Sequence, residues 1–437
     1  MPDGAASGWR AQLAPLIRPI LRYASVMGIK ATNIATGFIV TLLLARAGGP
    51  EVLGSYTMAI QTAQLASILA VVGCDQLALR EVAAHLRLGE KATANSHMRY
   101  YLRFVTPLAV LVAGLFAGGV MALQAAGLAA AQQGTLIAAT GFVAANAFYL
   151  MGLGIVRGLG DAVRAQAFDG LFTVPLALGL GLLLLAGGHI AAVPTVIAAT
   201  ACLVASMALL FFLVWRKARD WGHDDSILPP SPWQEGTPMM LISFLMFFAQ
   251  WLPQFLAGTL GSAGDAGAFR AAWQLAMPFA VVQTTAAMMI SPQISGDLRQ
   301  GRRDAARRRL RRNRYATLAS TLPIALPLLI WPKAILTLIF GAAFAGTAPL
   351  LQWLVGANML AILAGASGAV ITMSGRSRET VPVMILAAAL MAILAFLLVP
   401  RFGITGLAMA YAAGHALRVG QGYWLTRRIL ALPPGST

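Results

Sequence analysis

Lys30, Asn33, Gly37 and Thr41 recur at helical spacing inside one long apolar stretch, so they share one face of a helix. The next apolar stretch carries Thr57, Gln61 and Gln64 and ends on Asp75. Two later stretches hold Ser243, Gln250 and Gln254 beside Pro253, then Arg270, Gln274 and Thr284. Amides and hydroxyls bond to hydroxyl-bearing ligands, and a Lys or Arg attracts an anion. None of these groups forms a nucleophile–base pair, so the chemistry they suit is binding. Lys30, about two turns into its helix, either snorkels its stem to the headgroups or places a cation in a cavity. Arg270 either pairs with Asp265 or faces a ligand. The glutamines either join helices or contact a ligand.

Proton-exchanging groups are few. Asp75 and Asp169 fall at the inner ends of apolar stretches, and Tyr411, His415 and Arg418 share one face at spacings of four and three. A membrane histidine either relays protons or packs. Asp75, Asp169 and His415 are therefore the candidate ion-coupling residues. His223-Asp224-Asp225 has metal-ligand residue types, but as three neighbours in a Pro-rich loop it reads as hydrated surface. The sequence has no phosphate-binding glycine loop, no spaced metal-ligand cluster and no Ser/His/Asp constellation. The expectation is a non-enzyme with no catalytic residue, no cofactor and no metal.

The elements that must position these groups are apolar helices. Of 437 residues 58% are hydrophobic and 11% charged, with mean hydropathy +0.74. Apolar runs of about twenty residues recur, the length that crosses a bilayer core about 30 Å thick. The strands of a membrane barrel would alternate over only about ten residues. The fold class is an all-α polytopic membrane protein. Spans are predicted near 23–46, 51–75, 102–125, 134–156, 168–188, 192–215, 238–260, 267–292, 316–340, 348–373, 381–399 and 404–426.

Basic residues concentrate in alternate connections, including Arg80 to Arg103, Arg157 and Arg164, Arg216 to Arg219, Arg299 to Arg314, and Arg376 and Arg378. That alternation predicts both termini cytoplasmic. It also turns the net charge of +17 into an orientation signal; nucleic acid is not an expected partner. The run Arg302 to Arg314 reads as a solvated helix on anionic headgroups, each basic residue contributing about 1 kcal/mol. Prolines at 175, 253, 278, 323 and 327 predict bent helices. Cys74 and Cys202 sit in apolar stretches and suggest no disulfide. The N-terminal segment with Arg10, Arg18 and Arg22 lacks the pattern of a cleaved signal, and Leu13 to Ile20 is either a short interfacial helix or irregular.

One stretch occurs twice. Gly54-x-Tyr56-x-x-Ala59, followed by Leu86-Arg87-x-Gly89, returns about 213 residues later as Gly267-x-Phe269-x-x-Ala272, followed by Leu298-Arg299-x-Gly301. The repeat predicts two six-helix bundles, 1–219 and 237–437, joined by a cytoplasmic linker 220–236 containing Pro229, Pro230 and Pro232. Repeated halves place a transporter's site at their interface, so the stripes of spans 1, 2, 7 and 8 are expected to share one cleft.

The stretch Leu42-Leu43-Leu44-Ala45-Arg46-Ala47-Gly48-Gly49-Pro50-Glu51-x-x-Gly54-x-Tyr56, then Gly73-x-Asp75-Gln76-x-x-Leu79-Arg80-Glu81, closely resembles the polysaccharide transporter family. That family includes the O-antigen flippases and belongs to the multidrug/oligosaccharidyl-lipid/polysaccharide exporter superfamily. Arg157-Gly158-Leu159-Gly160, Pro292-Gln293-Ile294, Phe340-Gly341 and Pro400-x-x-Gly403-x-x-Gly406-x-Ala408 extend the resemblance over nearly the whole chain. The resemblance implies a MATE-like fold that moves a polyprenyl-diphosphate-linked oligosaccharide across a bacterial inner membrane for surface polysaccharide such as lipopolysaccharide O-antigen or exopolysaccharide. It also implies membrane lipids and polysaccharide polymerase or assembly proteins as partners. Basic residues of spans 1, 2 and 8 face the diphosphate in such relatives; Lys30 and Arg270 lie on matching spans, with Arg46 at the outer end of span 1. Many relatives carry an Asp in span 7, near where this chain has Gln250 and Gln254. The alternatives are an ion-coupled multidrug antiporter of the same superfamily, which would need a cavity carboxylate, and a non-transporting subunit of a polysaccharide-synthesis complex. A membrane glycosyltransferase lacks its acidic pairs.

Overall fold

The computed structural model describes residues 28–126, 132–224 and 226–431. Arg10, Arg18, Arg22, the segment Leu13 to Ile20, and Asp225 lie outside the described residues. Every regular element described is helical. Helix α1 covers 28–43 and widens into a π-turn at Leu44–Gly48, after which come α2 (Gly49–Val71), α3 (Cys74–Leu88) and α4 (Lys91–Ala125). Next are α5 (Gln133–Ala138), α6 (Thr140–Gly158), α7 (Ala162–Phe168), α8 (Thr173–Leu185), α9 (Ala192–Ala218) and α10 (Thr237–Leu260). The chain continues as α11 (Ala263–Arg299), α12 (Arg303–Ile330), α13 (Pro332–Phe340), α14 (Ala348–Ala364), α15 (Ser367–Met373), α16 (Val381–Phe402) and α17 (Ile404–Ala431).

Among the described residues nine helical runs are long and apolar enough to cross a membrane, or ten if α12 and α13 form one bent span. The run Gly28–Val71 is 44 residues long and holds both of the first two expected spans. It is interrupted at Gly49, whose φ of +76° no continuous α-helix adopts. Helix α17 is 28 residues long but falls outside the nine, its apolar face broken by His415 and Arg418.

Several expected boundaries are corrected. The span expected at 316–340 is two helices meeting at 92°, because Pro332 cannot supply the N–H that would continue α12. The basic run read as a solvated helix is helical and continues into the span: Arg303 to Arg314 form the first turns of α12. The span expected at 348–373 breaks at Gly365, φ +83°, into α14 and α15. Pro175 was expected to bend a helix but stands in the first turn of α8, where the missing N–H has no partner to lose.

Two compact units emerge from the packing: residues up to Ala47 with Ala59–Met246, and Gly48–Met58 with Phe247 onward. In the first, α6 is the central helix, burying Phe142, Met151 and Ile155 completely against α3, α4 and α9. Small residues set its depth. A Cβ at Gly154 would overlap the Asp75 carbonyl, and one at Gly158 would press within 3.0 Å of the Ala78 carbonyl and Val82, so α3 and α6 approach backbone to backbone. The described residues of 219–236 lie on the same unit: Asn95 donates to the Gly222 carbonyl at 2.6 Å, and Phe104 meets Trp233 edge to face.

In the second unit α11, α12, α15 and α17 bury Ile294, Ala306, Val370, Ile371, Leu425 and Ile429 together. The two glycines of the sequence repeat meet here. A Cβ at Gly54 would overlap the Ala263 carbonyl oxygen, and one at Gly267 would overlap that of Pro50. The start of α2 is thereby locked onto the start of α11. Side chains such as Leu182, Leu185, Ile393 and Phe396 remain exposed on α8 and α16, as a lipid-facing surface requires.

Candidate functional site

Helix α11 begins with a capping box: Asp265 Oδ2 accepts from the Ser262 amide and hydroxyl, each at 2.9 Å, and Ser262 Oγ accepts from the Asp265 amide at 3.1 Å. This fixes the helix start and occupies Asp265. Arg270 follows little more than a turn later, half-buried, with its Nε fully buried and without a hydrogen-bond partner among the described residues. Its electrostatic neighbour is the buried Tyr56 of α2, and among the described residues no carboxylate pairs with it. The Asp265 alternative raised by the sequence is thus resolved: the acid caps its own helix. One turn further on, Gln274 is buried and its Oε1 also lacks a partner. Removing a guanidinium from water without an anion is costly, so this pair has the chemistry to accept a negatively charged, hydrogen-bond-donating group.

Gln254 is buried and donates to the Ala266 carbonyl at 2.7 Å and to Thr57 Oγ1 at 3.3 Å. It joins α10, α11 and α2, and so orients the Arg270 helix. Gln250 is exposed. Trp273 stacks edge to face on Tyr411 at 5.2 Å, and Tyr411 lies parallel to His415. Arg418 Nη2 lies 3.1 Å from His415 Nδ1. An arginine can only donate, so Nδ1 accepts and the ring proton sits on Nε2, a buried atom with no partner among the described residues.

The first unit presents a different picture. Lys30 is exposed on α1. Asn33 spends its Nδ2 on the carbonyls of Gln166, at 2.9 Å, and Asp169, closing the end of α7. Asp169 itself is exposed, and its carboxylate accepts from Gln166 at 3.4 Å. Asp75 accepts from Gln76 at 2.8 Å. Gln61 has a buried Oε1 without a hydrogen-bond partner among the described residues, and Gln64 is half-buried. Within its unit, therefore, Arg270 and Gln274 are brought together with Tyr56 and Gln254, whereas Asp75 and Asp169 each keep a separate local partner. Tyr56, which stands in the repeat motif, was not singled out by the sequence as a neighbour of Arg270, because an aromatic at that position reads first as core.

A second basic feature lies in the second unit. Arg307, Arg311, Arg314 and Arg427 line a cavity of about 510 Å³ together with Tyr423 and Ser367. Arg307 donates to the Leu430 carbonyl at 3.1 Å and Arg314 to that of Leu363 at 3.3 Å, so these guanidinium groups are held toward the chain rather than trailing in solvent.

The sequence profile of a family described as polysaccharide biosynthesis protein matches residues 24–296, more than half of the chain. Comparison with curated proteins gives no match. Among solved structures, an inward-facing multidrug resistance MATE family transporter of the MOP superfamily is 17% identical, with TM-score 0.71 over 95% of this chain and 99% of that one. The lipid II flippase MurJ in an inward closed conformation is 13% identical, with TM-score 0.66 over 93% and 87%. A MOP superfamily transporter from Pyrococcus furiosus, described as having a binding pocket of reverse polarity, is 16% identical with TM-score 0.60 over 94% and 95%. At such identities the likeness establishes the fold, which is MATE-like, as the resemblance implied.

Proposed function

The chain belongs to the polysaccharide biosynthesis protein family, and on that premise we propose that it is a flippase for a polyprenyl-diphosphate-linked oligosaccharide. It moves this lipid from the inner to the outer leaflet of a bacterial cytoplasmic membrane by alternating access. Arg270 carries the reading: it is an intramembrane cation with a buried Nε and no acidic partner among the described residues, and a diphosphate supplies the missing charge. Lys30 adds a second cation, and Gln61, Gln64, Gln250 and Gln274 offer amides to sugar hydroxyls. Asn33 and Gln254 hold the helices that present them.

The moving bodies in this reading are the bundles 1–219 and 237–437, with 220–236 as the cytoplasmic connection and both termini cytoplasmic. The prenyl tail stays in lipid while the headgroup crosses a wet cleft, and rocking exposes it outside. Outward movement of an anion runs with an inside-negative potential, worth about 2.3 kcal/mol per charge per 100 mV; Asp75, Asp169 and His415 are the groups through which an ion gradient would couple. The product would enter O-antigen, capsule or exopolysaccharide assembly with a partner polymerase. A multidrug antiporter would need a free carboxylate in its cavity, and the separate local partners of Asp75 and Asp169 favour the flippase.

The test is a proteoliposome assay with a fluorescent, short-chain polyprenyl-diphosphate oligosaccharide, scored by quencher access to each leaflet. Wild-type protein should move the lipid. Failure to move it, together with ion-coupled uptake of a cationic dye, would replace the flippase with the antiporter; failure of both would leave a non-transporting subunit.

A further inference from the structure

Three side chains outside that site converge in the first unit. Glu81 and His85 stand one turn apart on α3, and His97 comes from α4, which folds back after Gly89 adopts φ +83°. One ligand atom from each lies within 4.8 Å of the other two. Glu81 Oε2 is 4.0 Å from His85 Nε2, and the two imidazoles meet edge to face with centroids 4.7 Å apart. Both rings are removed from solvent, His97 at 1% exposure and His85 at 9%.

The outer atoms of these groups are already engaged. His85 Nδ1 lies 2.7 Å from Glu90 Oε2, and His97 Nε2 lies 3.2 Å from the Ile227 carbonyl. Both partners are acceptors, so each of those nitrogens carries its ring's proton. The lone pairs are left on His85 Nε2 and His97 Nδ1, and the latter is buried with no hydrogen-bond partner among the described residues. Glu81 Oε1 is held by Arg80 Nε at 2.7 Å, which leaves Oε2 for the same space. A carboxylate or carbonyl behind each histidine is the arrangement that orients imidazoles toward a metal.

We infer that Glu81, His85 and His97 form a binding site for a divalent first-row transition-metal ion of the zinc class. Two neutral imidazoles and one carboxylate suit zinc, copper(II) or nickel better than magnesium or calcium, which prefer all-oxygen shells. Ligand atoms around tetrahedral zinc sit about 2.0–2.2 Å from the ion, so the three side chains close inward on binding, and a water or a further group takes the fourth position. The ion would clamp α3 to α4 and, through His97 and the Ile227 carbonyl, hold segment 219–231 against this unit. That segment has other anchors on α4: the Asp224 amide donates to Ser96 Oγ at 3.0 Å and Tyr101 donates to the Pro230 carbonyl at 3.4 Å. The site is independent of the transport reading, since neither Lys30 nor Arg270 belongs to it.

The test uses full-length protein in detergent, purified without a histidine tag and stripped with chelator. Titration with zinc chloride, with metal counted after desalting, should give one ion per chain, and cobalt(II) should give the visible absorption of a four-coordinate site. His97→Gln and His85→Gln should each weaken zinc binding at least 100-fold, Glu90→Gln about tenfold, and His223→Ala should change nothing. Gel filtration and helical circular dichroism identify variants that remain folded, and the conservative His→Gln pair retains ring-sized side chains for that purpose. No stoichiometric zinc on the wild type, or one zinc retained by a folded H85Q/H97Q double variant, would overturn the site.

Discussion

The two ends of helix α11 handle buried charge in opposite ways. Near its C-terminus Asp297, 2% exposed, accepts from Arg309 Nε at 2.7 Å and has Arg302 at 3.4 Å. Arg309 also donates to Gln293 at 2.7 Å, so that acid sits in a filled network bridging α11 and α12. About 40 Å earlier along the same helix, Arg270 has a buried Nε without a hydrogen-bond partner, and no acid beside it, among the described residues. A charge supplied with its counter-charges belongs to the scaffold, because its removal strands its partners. A charge left short of them can take its counter-charge from a ligand.

Four substitutions sharpen or break this contrast. Arg270→Ala should lower lipid flipping at least about 30-fold, the loss expected when one partner of a buried charge contact is removed, with an unfolding temperature no lower than wild type. A destabilised variant with unchanged flipping per folded molecule would make Arg270 part of the scaffold after all. Asp297→Ala should do the reverse. It should cost about 1–3 kcal/mol of stability, reduced from the fully buried case because Arg302 and Arg309 are partly exposed, while flipping per folded molecule stays constant.

Smaller effects test the surroundings. Gln254→Ala removes two hydrogen bonds that orient α11 and should cost about 1 kcal/mol, read as a shift in thermal unfolding. Gln274→Leu removes an amide whose Oε1 has no partner among the described residues, so its stability should lie within about 0.5 kcal/mol of wild type. Its effect should instead appear in the half-saturating lipid concentration. An equal loss of stability in both glutamine variants would erase the distinction between them.

How far the sequence foretold this depends on whether the cause was local. Gly54 and Gly267 were visible as a repeat because close helix crossing needs glycine at a fixed register, and register is written in the sequence. Arg270 stood out as a cation in an apolar run. Its freedom from Asp265 was less visible, although Ser262-x-x-Asp265 has the spacing of a capping box. The Asp297–Arg309 contact depends on the turn at Gly301, φ +68°, which sets how α12 lies against α11. Glu81 and His85 are near neighbours, but His97 reaches them only once α4 folds back, so the cluster escaped a reading that sought ligands along one segment. The break between α12 and α13 was hidden because both sides of Trp331 are apolar, and hydropathy carries no information about direction.

The glycine contact of the second unit has one more consequence. Gly54 faces the carbonyl of Ala263, and Gly267 faces that of Pro50; position 263 stands to 267 as 50 stands to 54 in the repeat. Each copy thus offers the other the same carbonyl and the same notch, the reciprocity of an isologous contact between identical subunits. A chain of half this length with the Pro50–Gly54 motif already carries both sides of the contact. Beyond the contact the copies differ: at the offset of the repeat Arg270 stands where the first copy has Thr57, whereas Gln274 matches Gln61.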